Sequence, residues 1–475
     1  MKIAFARNPY TKVYNFYSEK GIAKRDVVVP YSFLLLAGHI KRIYKDEVDI
    51  RIFDGEVGVK SQEELVNDIT DWSPDLIGFT TTTPEMDTVL SVCEILKNKL
   101  PDSITILGRP HISGARPSGS YPYIDYMVMG EGEYALEKII ELEQGKKSRG
   151  ESETVYLEGR DVDLDKTGHP DYSIIKMDDY QILEPTRGFI KANTIFTVRG
   201  CPHKCKFCFA SRNYRKRNTD IVIEEIKYLY RNGVRYININ DETLTQGRKR
   251  FLEFTDRLMK LGYHDLIFLG LTRADTITDE IADRLAKANF KRLYVGVESG
   301  SDNILKLVGK NTNVEKIKRG VSLLRERDII VRGSFILGLP YETHETIGKT
   351  IEYAKELDIQ TTGFNIAMPY PGTQLYDMAL NKEGIEFTVD PESKDFYSQF
   401  KRWGNCIIRT PELSGEDLIS YQQKANDEFY GQQRIIDFYK WTFEQGNKEK
   451  FWHRVLNHVY KKIHGKNLDY WDKLK

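Results

Sequence analysis

Three cysteines within eight residues constrain this chain more than any other feature of its sequence. A predicted strand at 194–198 leads directly into the segment CPHKCKFC, which contains Cys201, Cys205 and Cys208. Spacings of four and three residues, opened by a proline, indicate a loop folded around a common centre and not one face of a helix. Thiolates grouped in this way are typical ligands of zinc or of an iron–sulfur cluster.

The number of protein ligands distinguishes a zinc site from an iron–sulfur cluster. A structural zinc site needs four protein ligands, and only His203, inside the loop, is available as a fourth. We favour a four-iron cluster held by three cysteines, because one iron then stays open for a substrate or cofactor. A zinc loop using His203, or three unrelated structural cysteines, are the alternatives. The chain has five cysteines in total, and we interpret Cys93 and Cys406 as core residues.

Composition excludes several other classes of protein. The 475 residues suggest about three domains. Lys and Arg total 70, as do Asp and Glu, so no net charge attracts nucleic acid or anionic lipid. The odd number of cysteines argues against a disulfide framework, and no apolar stretch is long enough to cross a bilayer. The first residues lack the layout of a secretory signal, so we expect a cytoplasmic protein with no membrane partner.

Hydrophobic periodicity divides the chain into four segments. Residues 1–143 alternate short apolar strands with amphipathic helices, which predicts a Rossmann-type α/β domain. Residues 144–190 are polar and are interpreted as a linker. A second β/α series over 191–385 predicts a partial (β/α)6 barrel, and 386–475 is expected to be a mainly helical region covering the barrel mouth. The predicted strands are 2–6, 48–53, 76–80, 103–107 and 126–129, then 194–198, 236–239, 266–271, 292–297, 332–337 and 363–367.

The cysteine loop and the segments after later strands resemble the radical SAM (S-adenosylmethionine) superfamily over residues 192–385. Besides the cysteines, the matching segments are Asn240-Asp241-Glu242-Thr243, Gly296 to Ser301, Ser334 to Pro340 and Pro369 to Thr373. The resemblance implies a [4Fe-4S] cluster on the three cysteines and SAM as cofactor. It also implies that SAM contacts Phe207, Asp241, Glu242, Thr243, Glu298, Ser299, Arg332 and Ser334.

The chemistry of SAM agrees with these residue types. Its ammonium group needs an anionic partner such as Asp241 or Glu242, and its ribose hydroxyls need acceptors such as Glu298 and Ser299. Arg332 and Arg273 are candidates for its carboxylate. The plainer interpretation, that Asp241 and Glu298 only cap helices, stays open for each residue alone.

The first domain is similar to the cobalamin-binding domain of the B12-dependent branch of this superfamily. The implied cobalamin-binding residues are Asn8, Pro9, Ser32, Thr80, Thr81, Thr82, Thr83, Gly108, Arg109, His111, Gly130, Glu131, Gly132 and Glu133. Arg109 stands where this branch usually has a second glycine, so it narrows the expected cleft. The histidine signature of cobalt-ligating B12 proteins is absent, and His111 is expected to meet the nucleotide tail or solvent. A differently occupied Rossmann unit is the alternative for this domain.

The resemblance implies an activity. SAM is cleaved reductively to a 5′-deoxyadenosyl radical, which abstracts hydrogen from an unactivated carbon of a small-molecule substrate, and cobalamin delivers a methyl group to carbon or phosphorus. An electron donor such as flavodoxin or ferredoxin is the expected partner. Cyclisation or rearrangement without methyl transfer is the first alternative, and a non-catalytic metal-binding protein is the second. Methylthio transfer is disfavoured because Cys93 is the single cysteine of the first domain.

Overall fold

The fold is that of a computed structural model, which describes residues 1–9, 27–58, 60–144, 154–184, 188–393, 395–400 and 405–438. The first half forms a six-stranded parallel sheet in the order β2-β1-β3-β4-β5-β6. Its strands are β1 (Lys2–Arg7), β2 (Asp49–Asp54), β3 (Leu76–Thr80), β4 (Ile104–Gly108), β5 (Tyr126–Met129) and β6 (Val155–Glu158). Its helices are Tyr31–Tyr44, Gln62–Trp72, Met86–Lys99, Pro110–Ala115 and Glu133–Gln144.

Both faces of this sheet are covered by helices. β3, β4 and β5 are buried along nearly their whole length, as expected for parallel strands that pack on both faces. Because all six strands run in the same direction, their carboxyl ends lie along one edge of the sheet. The predicted Rossmann-type domain is confirmed.

The second half forms a curved seven-stranded sheet in the order β15-β14-β13-β12-β11-β8-β7. Its strands are β7 (Gln181–Glu184), β8 (Gly188–Ile195), β11 (Tyr236–Ile239), β12 (Ile267–Thr272), β13 (Phe290–Glu298), β14 (Ile330–Leu337) and β15 (Thr361–Ile366). The strands from β8 to β15 are parallel, and β7 pairs antiparallel with β8. The helices are Thr219–Arg231, Arg248–Met259, Asp279–Lys287, Asp302–Leu307, Val314–Arg325, His344–Glu356 and Gln374–Leu380. This half-barrel of six parallel strands confirms the second predicted unit.

The segment interpreted as a linker contributes a strand to each sheet. β6 extends the first sheet beside β5, and β7 extends the second sheet beside β8. The first barrel strand also differs from the prediction at 194–198, because it ends at Ile195. Residues Val198–Arg199 form a short antiparallel pair, β9, with β10 at Arg215–Lys216. Polar Lys191 and Asn193 interrupt the apolar pattern of β8, which is why hydropathy did not reveal its full length.

The two halves meet in a shared apolar cluster, while the first sheet has further buried clusters of its own. Val29, Tyr31 and Leu34 of the first half pack in the same buried cluster as the barrel residues Ile223 and Ile226. The described part of the C-terminal region contains the helix Gly415–Tyr430 and a short antiparallel pair, β16 (Glu386–Phe387) with β17 (Ile408–Arg409).

The C-terminal helix lies along the edge strand β15. Gln422 Nε2 donates to the Phe364 carbonyl oxygen at 2.9 Å, and Tyr430 Oη donates to that of Thr362 at 2.8 Å. These bonds satisfy backbone groups that an edge strand leaves unpaired. The part of the predicted helical region from residue 439 onward lies outside the described residues. No helix in the described ranges is both long and apolar enough to span a membrane.

Candidate active site

A cavity of about 710 Å³ at the half-barrel is lined by all three clustered cysteines. The loop that carries them begins at Gly200, whose φ is +85°. A Cβ atom at this position would lie 2.2 Å from the Asn213 carbonyl oxygen, so only glycine fits the turn. Arg212 holds the loop from outside, donating through Nη2 to the carbonyl oxygens of Cys205 at 3.2 Å and Cys208 at 3.3 Å.

Cations and hydrogen-bond donors surround the thiols. Arg273 Nη1 lies 3.8 Å from Cys205 Sγ, and the backbone N–H of Ala210 donates to Cys208 Sγ at 3.4 Å. Burial raises the pKa of the Cys205 thiol, while the charges of Lys310 and Arg273 act to lower it. A bound metal replaces the proton and retains the surrounding donors, so this environment suits thiolate ligands.

The donor set lends no support to the zinc alternative. Among the described residues, no three His, Cys, Asp or Glu side chains converge closely enough to hold a single metal ion. His203 Nε2 instead lies 3.2 Å from Gln246 Oε1. Three cysteine side chains on the wall of one roomy cavity fit a multi-iron cluster that occupies the space between them.

Six of the eight residues expected to contact SAM line this same cavity. They are Phe207, Glu242, Thr243, Glu298, Arg332 and Ser334. Asp241 and Ser299 are buried beside it and are engaged elsewhere. The Asp241 carboxylate accepts the backbone N–H groups of Thr197 at 2.7 Å and Val198 at 3.1 Å, so it anchors the chain entering the cysteine loop. Ser299 Oγ lies 3.2 Å from Thr350 Oγ1.

Lys310 is a site residue that sequence reasoning missed. Its Nζ donates to Glu298 Oε1 at 2.7 Å, and both residues are buried on the cavity wall. A Cβ atom at Gly296 would lie 2.4 Å from Glu298 Oε1 and 2.9 Å from Lys310 Nζ, so the glycine makes room for the pair. Lys310 follows a short helix twelve residues after Glu298, and no local pattern marks it. Asn238, Asn240 and Asn365 also line the cavity.

A second cavity, of about 450 Å³, lies between the carboxyl edge of the first sheet and the barrel. Eight of the expected cobalamin residues line it: Ser32, Thr80, Gly108, Arg109, Gly130, Glu131, Gly132 and Glu133. The cavity continues between the sheet and two helices as an apolar slot, which is lined by Phe5, Phe33, Leu36, Gly78, Ile106, Val128, Leu136 and Ile139. Small residues at the mouth and an apolar slot behind it fit a broad plate that carries an aromatic tail, as a corrin with its nucleotide does.

The other expected cobalamin residues lie outside the lining of this cavity. Thr81 Oγ1 donates to the Gly108 carbonyl oxygen at 2.9 Å, and Thr82 caps the turn at 83–85. His111 is buried, with its ring edge-on to Tyr397 at 4.5 Å between centroids. Burial lowers the pKa of His111 to about 4, so it is neutral at ordinary pH. Asn8 is buried after β1, next to Pro9.

Charged pairs join the second cavity to the cysteine loop. Arg199, two residues before Cys201, donates to Glu133 Oε1 at 2.6 Å and lies 3.2 Å from Glu131 Oε1. Arg215 donates through Nη1 to Glu131 Oε2 at 3.0 Å. Burial opposes ionisation of Glu131, but Arg215 and Arg199 hold the pKa of its carboxyl below the ordinary value. The loop after β5 is therefore tied to the chain that enters the cysteine loop.

Arg109 has an unusual backbone conformation at the mouth of the slot. Its φ is 79° and its ψ is −165°, a region that is almost confined to glycine and costs other residues about 1–3 kcal/mol. The guanidinium donates to Ser32 Oγ. Arg109 is exposed on the solvent side of the mouth, and desolvation by the atoms packed around its guanidinium, together with the nearby Arg199 charge, lowers its pKa; the favourable charge of Glu133 acts in the opposite direction.

Each half of the chain matches a known protein family. The Radical SAM superfamily model matches residues 195–354, and the B12 binding domain model matches residues 27–140. An uncharacterised methyltransferase from Pyrococcus horikoshii is 29% identical over 423 residues, which cover 84% of this chain and 88% of that protein. An anaerobic magnesium-protoporphyrin IX monomethyl ester cyclase from Rubrivivax gelatinosus is 28% identical over 363 residues, which cover 72% of this chain and 64% of that protein.

A solved structure has a similar fold over most of the chain. The radical S-adenosylmethionine methyltransferase TsrM from Kitasatospora setae, with cobalamin and a [4Fe-4S] cluster bound, has a TM-score of 0.66 and 16% sequence identity. The match covers 89% of this chain and 90% of that one. The two family models therefore identify a B12-binding domain followed by a radical SAM domain in this chain. Its cofactors are a [4Fe-4S] cluster, SAM and cobalamin.

Proposed function

We propose that this enzyme transfers a methyl group to an unactivated carbon, or to phosphorus, of a small-molecule substrate. The observation that carries the proposal is the meeting of the two cavities. Asn240, Glu242 and Leu271 line both the cysteine cavity and the cavity at the edge of the first sheet. A group held in one cavity and a group held in the other would thus face a common space, which is what transfer of a methyl group to a substrate radical requires.

The residues of the chain have distinct roles in this proposal. Cys201, Cys205 and Cys208 would hold the cluster, and Glu242 with Thr243 would receive the ammonium end of SAM. When bound, the cluster and SAM supply a carbon radical and cobalamin supplies a methyl group. Glu298 would accept a ribose hydroxyl, and its buried partner Lys310 fixes the direction of the carboxylate.

Arg332 is the candidate for anion binding within the cysteine cavity. It projects from β14 in register with Tyr294 of β13, and its guanidinium lies 5.4 Å from the centre of the Tyr294 ring. A carboxylate of SAM or of the substrate would neutralise the positive charge of this guanidinium. The aromatic ring supports the planar guanidinium without neutralising it.

Ring closure without methyl transfer is the second candidate, and the similarity to the Rubrivivax cyclase favours it. Both candidates use the same two cofactors, and they differ in the fate of the SAM methyl group. We further propose that the enzyme acts in the cytoplasm and receives electrons from a flavodoxin or a ferredoxin.

The test is anaerobic reconstitution with iron, sulfide and hydroxocobalamin, followed by incubation with reductant and SAM labelled with deuterium at its methyl group. Methyl transfer predicts 5′-deoxyadenosine together with label in the corrin fraction. A corrin fraction that stays unlabelled while SAM is cleaved would favour the cyclase. Cys205→Ala should abolish SAM cleavage, and Cys406→Ala, which alters a cysteine far from the loop in sequence, is the matched control.

A further inference from the structure

The cation at the mouth of the apolar slot is the feature that the proposed function does not use. Arg109 faces the second cavity, yet among the described residues no carboxylate lies within 4.0 Å of it. Glu133, whose charge acts on Arg109, is already bonded to Arg199 at 2.6 Å. Glu131 and Glu133 of the same lining pair with Arg199 and Arg215, so within the described part of the chain the Arg109 guanidinium has no carboxylate partner of its own.

The backbone indicates that the side chain contributes something that glycine would not. Arg109 keeps a positive φ where glycine would be unstrained, between Gly108 at the end of β4 and the helix Pro110–Ala115. Such conformations persist when the surrounding structure requires them, and they are concentrated at ligand sites. Ser32 Oγ, in the first turn of the helix Tyr31–Tyr44, orients the guanidinium from the opposite wall.

The slot behind Arg109 indicates which kind of ligand passes it. Phe5, Phe33 and Val128 make the slot apolar, so it suits an aromatic ring and not a charged group. A ligand that places a ring in the slot and a plate at the mouth carries its connecting atoms past Arg109. In cobalamin, the benzimidazole base is connected to the corrin through a phosphodiester, which is the anionic group of the nucleotide tail.

We propose that Arg109, oriented by Ser32, binds the phosphodiester of the cobalamin nucleotide tail and thereby selects complete cobalamin over corrinoids that lack the tail. Planar guanidinium groups bind phosphate oxygens through two parallel hydrogen bonds, which a glycine in this position could not provide. The inference rests on the proposed function only in placing the corrin in the second cavity.

The test compares two probes, cobalamin and cobinamide, which has the corrin but no nucleotide tail. Dissociation constants of the reconstituted, full-length protein are measured by equilibrium ultrafiltration for the wild type, Arg109→Gln and Arg109→Lys. We expect Arg109→Gln to weaken cobalamin binding about tenfold or more, the effect of one lost charged hydrogen bond, and to change cobinamide binding about twofold or less. Arg109→Lys should recover part of the loss, because lysine keeps the positive charge but lacks the two parallel N–H donors of the guanidinium.

A ratio of the two dissociation constants that Arg109→Gln leaves unchanged would overturn the inference, even if both values rise. Wild-type protein that retains neither corrinoid would instead contradict the proposed function. Ser32→Ala is the second variant, because removal of one hydroxyl does not alter the strained backbone at Arg109. It should also reduce the preference for cobalamin over cobinamide, but by less than Arg109→Gln does. Matching circular dichroism spectra show that the variants are folded.

Discussion

A buried charge cluster between the two halves allows a quantitative test of how they are held together. Glu225, on the helix Thr219–Arg231, accepts hydrogen bonds through Oε1 from Tyr31 at 2.8 Å and Tyr172 at 2.7 Å. Arg217 Nη2 donates to its Oε2 at 2.6 Å. Tyr31 belongs to the first domain and Tyr172 to the connecting segment, so one carboxylate joins three parts of the chain.

The change Glu225→Gln removes the charge and keeps the shape. The Arg217 side chain is 6% exposed and the Glu225 side chain 1%, so the guanidinium would remain buried without its counter-charge. Removing one partner of such a pair costs about 3–5 kcal/mol. We expect the free energy of unfolding to fall by this amount, because the remaining bonds of Arg217, to the Phe196 carbonyl oxygen at 2.7 Å and to Tyr31, are to neutral groups.

The assay is urea denaturation followed by circular dichroism, with three reference variants. Glu224→Gln, next along the same helix, breaks an exposed pair with Lys227 and should leave the midpoint unchanged. Arg217→Met should also destabilise, and the double variant with Glu225→Gln should recover part of the loss because no unpaired charge remains. A loss below about 1 kcal/mol for Glu225→Gln, or strictly additive single effects, would refute the reasoning.

Three further results are expected. Burial raises the pKa of Glu342 to about 8, so the folded chain holds a proton that the unfolded chain releases above its ordinary pKa. The free energy of unfolding should therefore fall by up to about 1.4 kcal/mol per pH unit as the pH rises toward 8. Urea denaturation at a series of pH values should show a smaller dependence of this free energy on pH for Glu342→Gln. His111, with its pKa lowered to about 4, stays neutral where the unfolded chain becomes protonated, so stability should fall as pH drops from about 6.5 to 4; an equal loss in His111→Gln would contradict this assignment. Gly200→Ala should lower the iron and sulfide bound on reconstitution, whereas Gly119→Ala, at a positive φ with open space around it, should not.

Local pattern was sufficient for much of the fold. The strands 76–80, 126–129 and 236–239 were predicted with the bounds that the structure shows, because each is a short apolar run between polar turns. The cysteine loop was recognisable because its three cysteines are neighbours in the chain. These features depend on interactions within a few residues, which the order of amino acids specifies directly.

Local sequence pattern could not predict which residues far apart in the chain form pairs. Lys310 with Glu298, Arg199 with Glu133, and Glu225 with Tyr31 are separated by 12, 66 and 194 residues. The same holds for β6 and β7, whose four-residue sequences are too short to show a periodicity and which become strands because an existing sheet edge offers them backbone partners.

The sequence by itself determined the parallel α/β architecture, the cluster of three cysteines and the two kinds of cofactor domain. Only the tertiary structure decided that the two cavities meet at Glu242, that Asp241 supports the backbone instead of lining the cysteine cavity, and that Arg109 stands at the mouth of an apolar slot. The physical reason is that hydrophobic periodicity reports which face of an element is buried, whereas the partner of a charged group depends on which elements pack against each other.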